Sequence, residues 1–434
     1  MQKTPADSTT SNAVTPVQVR AADIQAAQVR ISSIIAGTPL QYCSRLSDET
    51  GAKVFLKRED LQDVRSYKIR GAYNAMVQLT DAERAAGVVA ASAGNHAQGV
   101  AYACRKLGVK GRIYVPTQTP KQKRDRISYH GGDAVDLVVV GNSFDEAAEA
   151  ARNDARDTGA TLIEPFDAFN TIAGQGTVAA EIVAQLGSQG LQADTVVVPV
   201  GGGGLLAGIT AYLADLAPTT AIVAVEPKGA QCLRAALDAD EPVTLPHTDP
   251  FVDGAAVARL GDLPYTIVDA NRSRIHCIAA DEGAVSVEML NLYQDEGIIA
   301  EPAGALSVAG LQQLSIRPGE VVVCVISGGN NDVLRYAEIT ERSLVYRGLK
   351  HYFLVSFPQK PGQLRMFLSD VLGPDDDISQ FEYLKRNNRE TGTALVGIEL
   401  RRASDLEALM ERMAASPLDC KRLEPGTPEY EFMT

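Results

Sequence analysis

Over residues 18–35 apolar side chains recur at helical spacing, with Ile24, Ala27, Val29, Ile31, Ile34 and Ile35 forming one stripe. The turn signal Gly37-Thr38-Pro39-Leu40 ends it, and a short strand leads to Val54-Phe55-Leu56-Lys57. From there the pattern switches repeatedly between short β-branched runs and Ala-rich amphipathic stretches. Strands are predicted at 87–91, 112–115, 135–140, 161–163, 195–200, 221–225, 266–268 and 321–326. Helices are predicted at 66–79, with Ser66 as N-cap, and at 95–107, 144–155, 174–186 and 206–216. Buried runs alternating with helices indicate an α/β protein with parallel sheets, because parallel strands need helical crossovers that cover the sheet.

Past Asn331 the alternation stops. The pattern predicts a helix at 333–343, a strand at 350–357, a loop at Pro358–Gly362 and a helix at 363–372. Strands at 378–385 and 393–400 flank the turn Asn387-Asn388, and a helix follows at 405–415. This β-α-β-β-α order is a ferredoxin-like layout, and so a separate small α+β domain. The expected organisation is a disordered N-terminal tail at 1–17, an α/β domain at 18–345, the α+β domain at 346–422 and a C-terminal tail at 423–434.

Composition narrows the class of function. The net charge of −13 argues against nucleic acid or an anionic membrane as the main partner. No run approaches the roughly 18 consecutive apolar residues of a membrane span, and the Ser/Thr-rich start lacks an apolar signal core. The six cysteines are scattered without a C-x-x-C pair, which suggests neither a zinc site nor a disulfide framework and implies a reducing compartment, the cytoplasm. Cys324, inside the run Val321–Ile326, reads as a buried small hydrophobe.

Four stretches carry candidate chemistry. In Ser66-Tyr67-Lys68-Ile69-Arg70-Gly71 the lysine lies between an aromatic and an apolar residue, where desolvation would free its amine as a nucleophile or base; taken alone, it could equally be a solvated surface charge. Gly201-Gly202-Gly203-Gly204-Leu205 joins a strand to a helix, so backbone N–H groups and the helix N-terminus can hold a phosphate; the alternative is a flexible turn. It lacks the Lys-Ser/Thr ending of a nucleotide P-loop. Ser92-Ala93-Gly94-Asn95-His96-Ala97-Gln98-Gly99 also joins a strand to a helix; it can offer N–H groups and hydroxyls to a carboxylate, or serve only as a cap. Ser327-Gly328-Gly329-Asn330-Asn331 follows a strand, where Ser327 can meet a heterocyclic nitrogen or simply make a tight turn. Three Gly-rich turns and one desolvated lysine together suit a phosphorylated carbonyl cofactor bound through an amine, pyridoxal 5′-phosphate.

In order and spacing these four stretches resemble the threonine dehydratase family, of the tryptophan-synthase-β-like, fold-type II pyridoxal-phosphate enzymes, from about residue 20 to 345. The C-terminal part resembles the ACT-like regulatory domain of the biosynthetic members, in a short form with one such unit. The resemblance implies a two-lobed catalytic domain that converts L-threonine to 2-oxobutanoate and ammonia, the first committed step toward isoleucine. It implies that Lys68 binds the cofactor covalently, Asn95 contacts its 3′-oxygen, Gly201, Gly202, Gly203, Gly204 and Leu205 hold its phosphate, and Ser327 faces its pyridine nitrogen. Ser92, Ala93, Gly94 and His96 would line the substrate carboxylate. It further implies feedback by isoleucine, with valine as a counter-effector, and a homodimer or homotetramer. Some relatives hold a divalent cation through an acidic pair in the segment aligned with Glu226-Pro227-Lys228-Gly229-Ala230-Gln231-Cys232. Here Cys232 replaces one acid, and a thiol is a poor ligand for such hard ions, so no metal is expected. The same cofactor motifs also serve catabolic serine/threonine dehydratases acting on L-serine, and serine racemases. A non-catalytic amino-acid sensor would not need Lys68 or the glycine run.

Overall fold

The computed structural model describes residues 18–383 and 390–433, so the expected N-terminal tail and the Asn387-Asn388 turn lie outside the described residues. Two compact units are present: one runs up to Ala280 and includes Ile299–Asn330, and the other comprises Asp281–Ile298 and the chain from Asn331 onward.

The first unit holds two sheets. One contains β1 (Leu40–Tyr42), β2 (Lys53–Arg58), β7 (Thr195–Pro199), β8 (Ala221–Pro227), β9 (Ile275–Ala280) and β10 (Val321–Ile326), in the order β1-β2-β10-β7-β8-β9. All its neighbours are parallel except β1 and β2. The other contains β3 (Val88–Ala91), β4 (Gly111–Val115), β5 (Val135–Val139) and β6 (Thr161–Leu162), all parallel, in the order β5-β4-β3-β6. Every residue of β10 is buried, as a central parallel strand covered on both faces requires. Cys324 is fully buried within it.

This order places the chemistry. β2, β10 and β7 are adjacent, and Lys68, Ser327 and the glycine run follow their C-terminal ends. At β10 the order turns back on itself, which is where open α/β sheets bind ligands. Asn95 follows the C-terminal end of β3 in the second sheet.

A buried ion network anchors the helix Lys68–Val77. Arg70, 1% exposed, donates from Nε and Nη2 to the two oxygens of Glu59, at 2.7 and 2.8 Å. It also donates to both oxygens of Glu181, at 2.6 and 2.9 Å, on the helix Phe169–Gly187. Lys57 donates to the same Glu181 at 2.6 Å and to the Thr38 carbonyl at 2.7 Å. Burial alone would raise the Glu59 pKa, but Arg70 and Lys57 hold it below the ordinary value. The two helices cross in backbone contact: a Cβ on Gly71 would lie 2.7 Å from the Thr171 carbonyl, and one on Gly174 would lie 2.6 Å from the Arg70 carbonyl.

Several expectations need correction. Ser66 does not cap its helix; Tyr67 is the N-cap, and Ser66 forms an isolated bridge with Gly328. Residues 266–268 are not a strand but part of the helix Asp262–Asp269, whose buried Pro264, Ile267 and Val268 share one face. Asp167 caps that helix, its carboxylate accepting from the Asp262 and Leu263 amides at 2.9 Å each.

In the second unit β11 (Lys350–Pro358), β12 (Asp377–Tyr383), β13 (Thr391–Glu399) and β14 (Asp419–Leu423) form an antiparallel sheet in the order β12-β13-β11-β14. β14 completes the ferredoxin-like fold. The helix expected at 363–372 is α-helical only over Gln363–Met366 and widens to a π turn at Phe367–Val371. The break between the units lies before 345, because the helix Tyr336–Tyr346 packs on Glu282–Gln294, with Tyr346 over Gly283. The tail expected at 423–434 is folded as far as the described residues run: Leu423 ends β14 and is buried, and the helix Pro428–Met433 sets Tyr430 edge-on to Tyr352.

Candidate active site

Lys68 opens its helix half-buried, and its Nζ donates to the Pro165 carbonyl at 3.1 Å. The ammonium stands 5.4 Å from the centre of the Tyr67 ring and 5.9 Å from that of Phe166. Burial lowers its pKa from 10.5 to about 8, against a smaller opposing pull from Glu301. More of the amine is therefore neutral near pH 8 than in an ordinary lysine. The rate at which cofactor-free protein captures an aldehyde at Lys68 should accordingly rise with pH and level off just above 8. A rise continuing toward 10.5 would contradict this; stopped-flow absorbance reads the difference.

The glycine run faces the same wall. A Cβ on Gly202 would clash with the edge of the Phe166 ring, and one on Gly204 would lie 2.9 Å from the Phe166 Cα. Gly203 has φ +88°, in the left-handed region. The helix Gly204–Leu216 begins there, so its first amides have no carbonyl of their own helix to bond. Phe166 thus joins the lysine to a cradle of free backbone N–H groups. That cradle and the half-buried amine beside it fit a phosphorylated aldehyde such as pyridoxal phosphate.

Asn95 begins the helix Asn95–Leu107 and donates from Nδ2 to Glu301 Oε1 at 2.6 Å. Its Oδ1 accepts from Asn330 Nδ2 at 2.7 Å. Ser327 is 3% exposed; its hydroxyl donates to the Ala303 carbonyl at 3.1 Å, and its own carbonyl accepts from the Tyr67 amide at 3.1 Å. The Ser92 hydroxyl accepts from the Gly94 amide at 3.2 Å, shaping the half-exposed turn Ser92-Ala93-Gly94. His96 is buried, with Nε2 2.8 Å from the Ile163 carbonyl, which requires that nitrogen to carry the proton. Burial and the nearby Lys68 charge lower its pKa to about 3, so the ring is neutral and committed to Ile163. Glu226 accepts from the Leu233 and Arg234 amides at 2.6 and 2.9 Å, while the Cys232 thiol donates to the Gly201 carbonyl at 3.4 Å.

Sequence reasoning missed Pro165, Phe166 and Glu301. Glu301-Pro302 opening an Ala/Gly-rich helix was the one available signal. Burial raises the Glu301 pKa to about 7.

A family model described as "Pyridoxal-phosphate dependent enzyme" matches residues 31–328, and one described as "C-terminal regulatory domain of Threonine dehydratase" matches 341–433. The chain is 72% identical over 416 residues to the L-threonine dehydratase biosynthetic IlvA of Corynebacterium glutamicum, covering 96% of this chain and 95% of that protein. Among solved structures, the processed form of threonine deaminase isoform 2 from Solanum lycopersicum is similar, with 35% identity and a TM-score of 0.68, covering 76% of this chain and 96% of that one. A maize serine racemase is similar at 30% identity and a TM-score of 0.68, covering 76% of this chain and 99% of that one.

Proposed function

Because the chain belongs to the pyridoxal-phosphate dependent enzyme family and carries a C-terminal regulatory domain of threonine dehydratase, we infer that it converts L-threonine to 2-oxobutanoate and ammonia. The observation that carries this is the single wall, Pro165-Phe166, that holds the lysine amine and backs the glycine cradle.

When bound, pyridoxal phosphate supplies a carbonyl for the substrate amine and a conjugated ring that accepts the electron pair left at Cα. The chain does the rest. The amides from Gly201 to Leu205 hold the phosphate at a helix N-terminus. Asn95 holds the 3′-oxygen through an N–H that is not used on Glu301. Ser327 would offer the ring nitrogen a neutral hydroxyl by turning its one O–H away from the Ala303 carbonyl, giving a hydrogen bond without a counter-charge. Lys68, kept partly neutral by its surroundings, takes the Cα proton at Nζ. The turn Ser92-Ala93-Gly94 receives the substrate carboxylate, and the buried His96 just after it is tied to the Ile163 carbonyl.

The second unit binds an allosteric amino acid, which we propose is isoleucine, opposed by valine. A cavity of about 310 Å³ lined by Phe357, Lys360, Leu364, Phe381 and Tyr383 supports this, since its aromatic walls suit a branched apolar side chain. We further propose that the enzyme works as a homodimer or homotetramer in the cytoplasm. Among the described residues no two cysteines form a disulfide, and no helix is long and apolar enough to cross a membrane.

Assay of 2-oxo acid formation from L-threonine and L-serine, with and without isoleucine, tests these readings. Threonine should be the better substrate by about 10-fold or more, the range one methyl contact can supply, and isoleucine should inhibit. Equal turnover of serine would favour the catabolic type, and racemisation of serine without 2-oxo acid would favour a racemase. Indifference to isoleucine would remove the effector assignment.

A further inference from the structure

Glu301 occupies the N-cap position of the helix Pro302–Leu311, where an acidic side chain ordinarily accepts from the first turn's amides. It does not do so here: its side chain makes no capping hydrogen bond and is turned to Asn95 instead. It is 4% exposed, and among the described residues no lysine or arginine forms an ion pair with it, although Lys68 and Lys123 are near enough to feel its charge. The surrounding chain makes room for it, since a Cβ on Gly328 would collide with Oε1. Besides Asn95, the Glu301 carboxylate accepts from the backbone N–H of Asn330, the residue whose side chain holds the other end of the Asn95 amide, so a buried acid that does not cap its own helix is committed to this pair.

Asn330 spends both Nδ2 hydrogens, on the Val64 carbonyl at 2.8 Å and on Asn95 Oδ1 at 2.7 Å. Asn95 must therefore present Oδ1 to Asn330 and Nδ2 to Glu301, and the amide cannot flip without breaking both bonds. One Nδ2 hydrogen goes to Glu301, leaving the other for a ligand.

We propose that Glu301 is the positioning residue of this site, acting through Asn95: with Asn330 it clamps the amide so that the remaining N–H is held toward the cofactor oxygen. This rests on the reading of Asn95 given above. Gln at 301 keeps an acceptor for Asn95, whereas Met fills the space without one, so the two substitutions separate the hydrogen bond from packing.

The test uses holoenzyme and its cofactor-free form, with two readouts: the position of the cofactor absorption band, and the affinity with which pyridoxal phosphate rebinds. Glu301→Met should weaken rebinding about 10-fold and shift the band in the same direction as Asn95→Ala, the scale of one lost charge-assisted hydrogen bond. Glu301→Gln should restore the band and keep affinity within about threefold. In the Asn95→Ala background, Glu301→Met should add nothing. Additive effects in the double variant would overturn the proposal, as would a Glu301→Met band unchanged while that of Asn95→Ala shifts. An unchanged Asn95→Ala enzyme would instead overturn the reading of Asn95, and the proposal with it. Circular dichroism on the same samples checks that each variant is folded.

Discussion

Lys68→Ala should abolish threonine turnover, by a factor on the order of 10⁴ or more, because one substitution would remove both the proposed covalent anchor and the proposed base. The variant should fold, since Lys68 makes one side-chain hydrogen bond, to Pro165, and sits outside the Arg70 network. It should lose the yellow colour of the amine-bound cofactor, yet the glycine cradle should still bind pyridoxal phosphate reversibly. Steady-state kinetics, absorbance and circular dichroism distinguish this from collapse of the fold. A variant that kept a tenth of its activity would mean that another group takes the proton.

The second large effect concerns stability. Arg70→Ala should destabilise the first unit by about 3–5 kcal/mol, the cost of breaking a buried ion pair from one side. Glu59 is fully buried, Glu181 is 13% exposed, and Arg70 gives each carboxylate two hydrogen bonds. Removing the guanidinium leaves both charges without that partner. Urea unfolding followed by circular dichroism is the suitable probe, because the chain has no tryptophan. A loss below about 1 kcal/mol would mean the pocket rehydrates or Lys57 takes over. Since Arg70 lies two residues beyond Lys68 on the same helix, a folded variant should also bind its cofactor less tightly.

The sequence showed the architecture where burial and period agree. The run Val321–Ile326 reads as a central strand because every position is apolar and every position is buried. Ile275–Ala280 escaped because its alternation of apolar and polar residues is broken by His276 and small residues. Residues 266–268 misled because three apolar positions are too few to tell a strand from one helical face. The helices Glu282–Gln294 and Pro302–Leu311 were not anticipated: every residue of the second is buried, so no polar face marks its period, and the first buries the polar Ser286 and Glu288 beside its apolar residues, which blurs its stripe. At the site, Lys68, Asn95, the glycine run and Ser327 stood out because strand-to-helix turns need particular residues. Phe166 and Glu301 did not, because proximity alone gives them their roles. Pro165 lies 97 positions from Lys68, and Glu301 lies 206 from Asn95. No local pattern encodes such a meeting.

Whether Lys68 carries the cofactor can be read directly. Borohydride reduction of the holoenzyme fixes an amine-bound pyridoxal phosphate irreversibly, and peptide mass spectrometry then locates the modified residue. One modified site per chain is expected, on the peptide containing Lys68. Modification of another lysine, or none in an active enzyme, would contradict it.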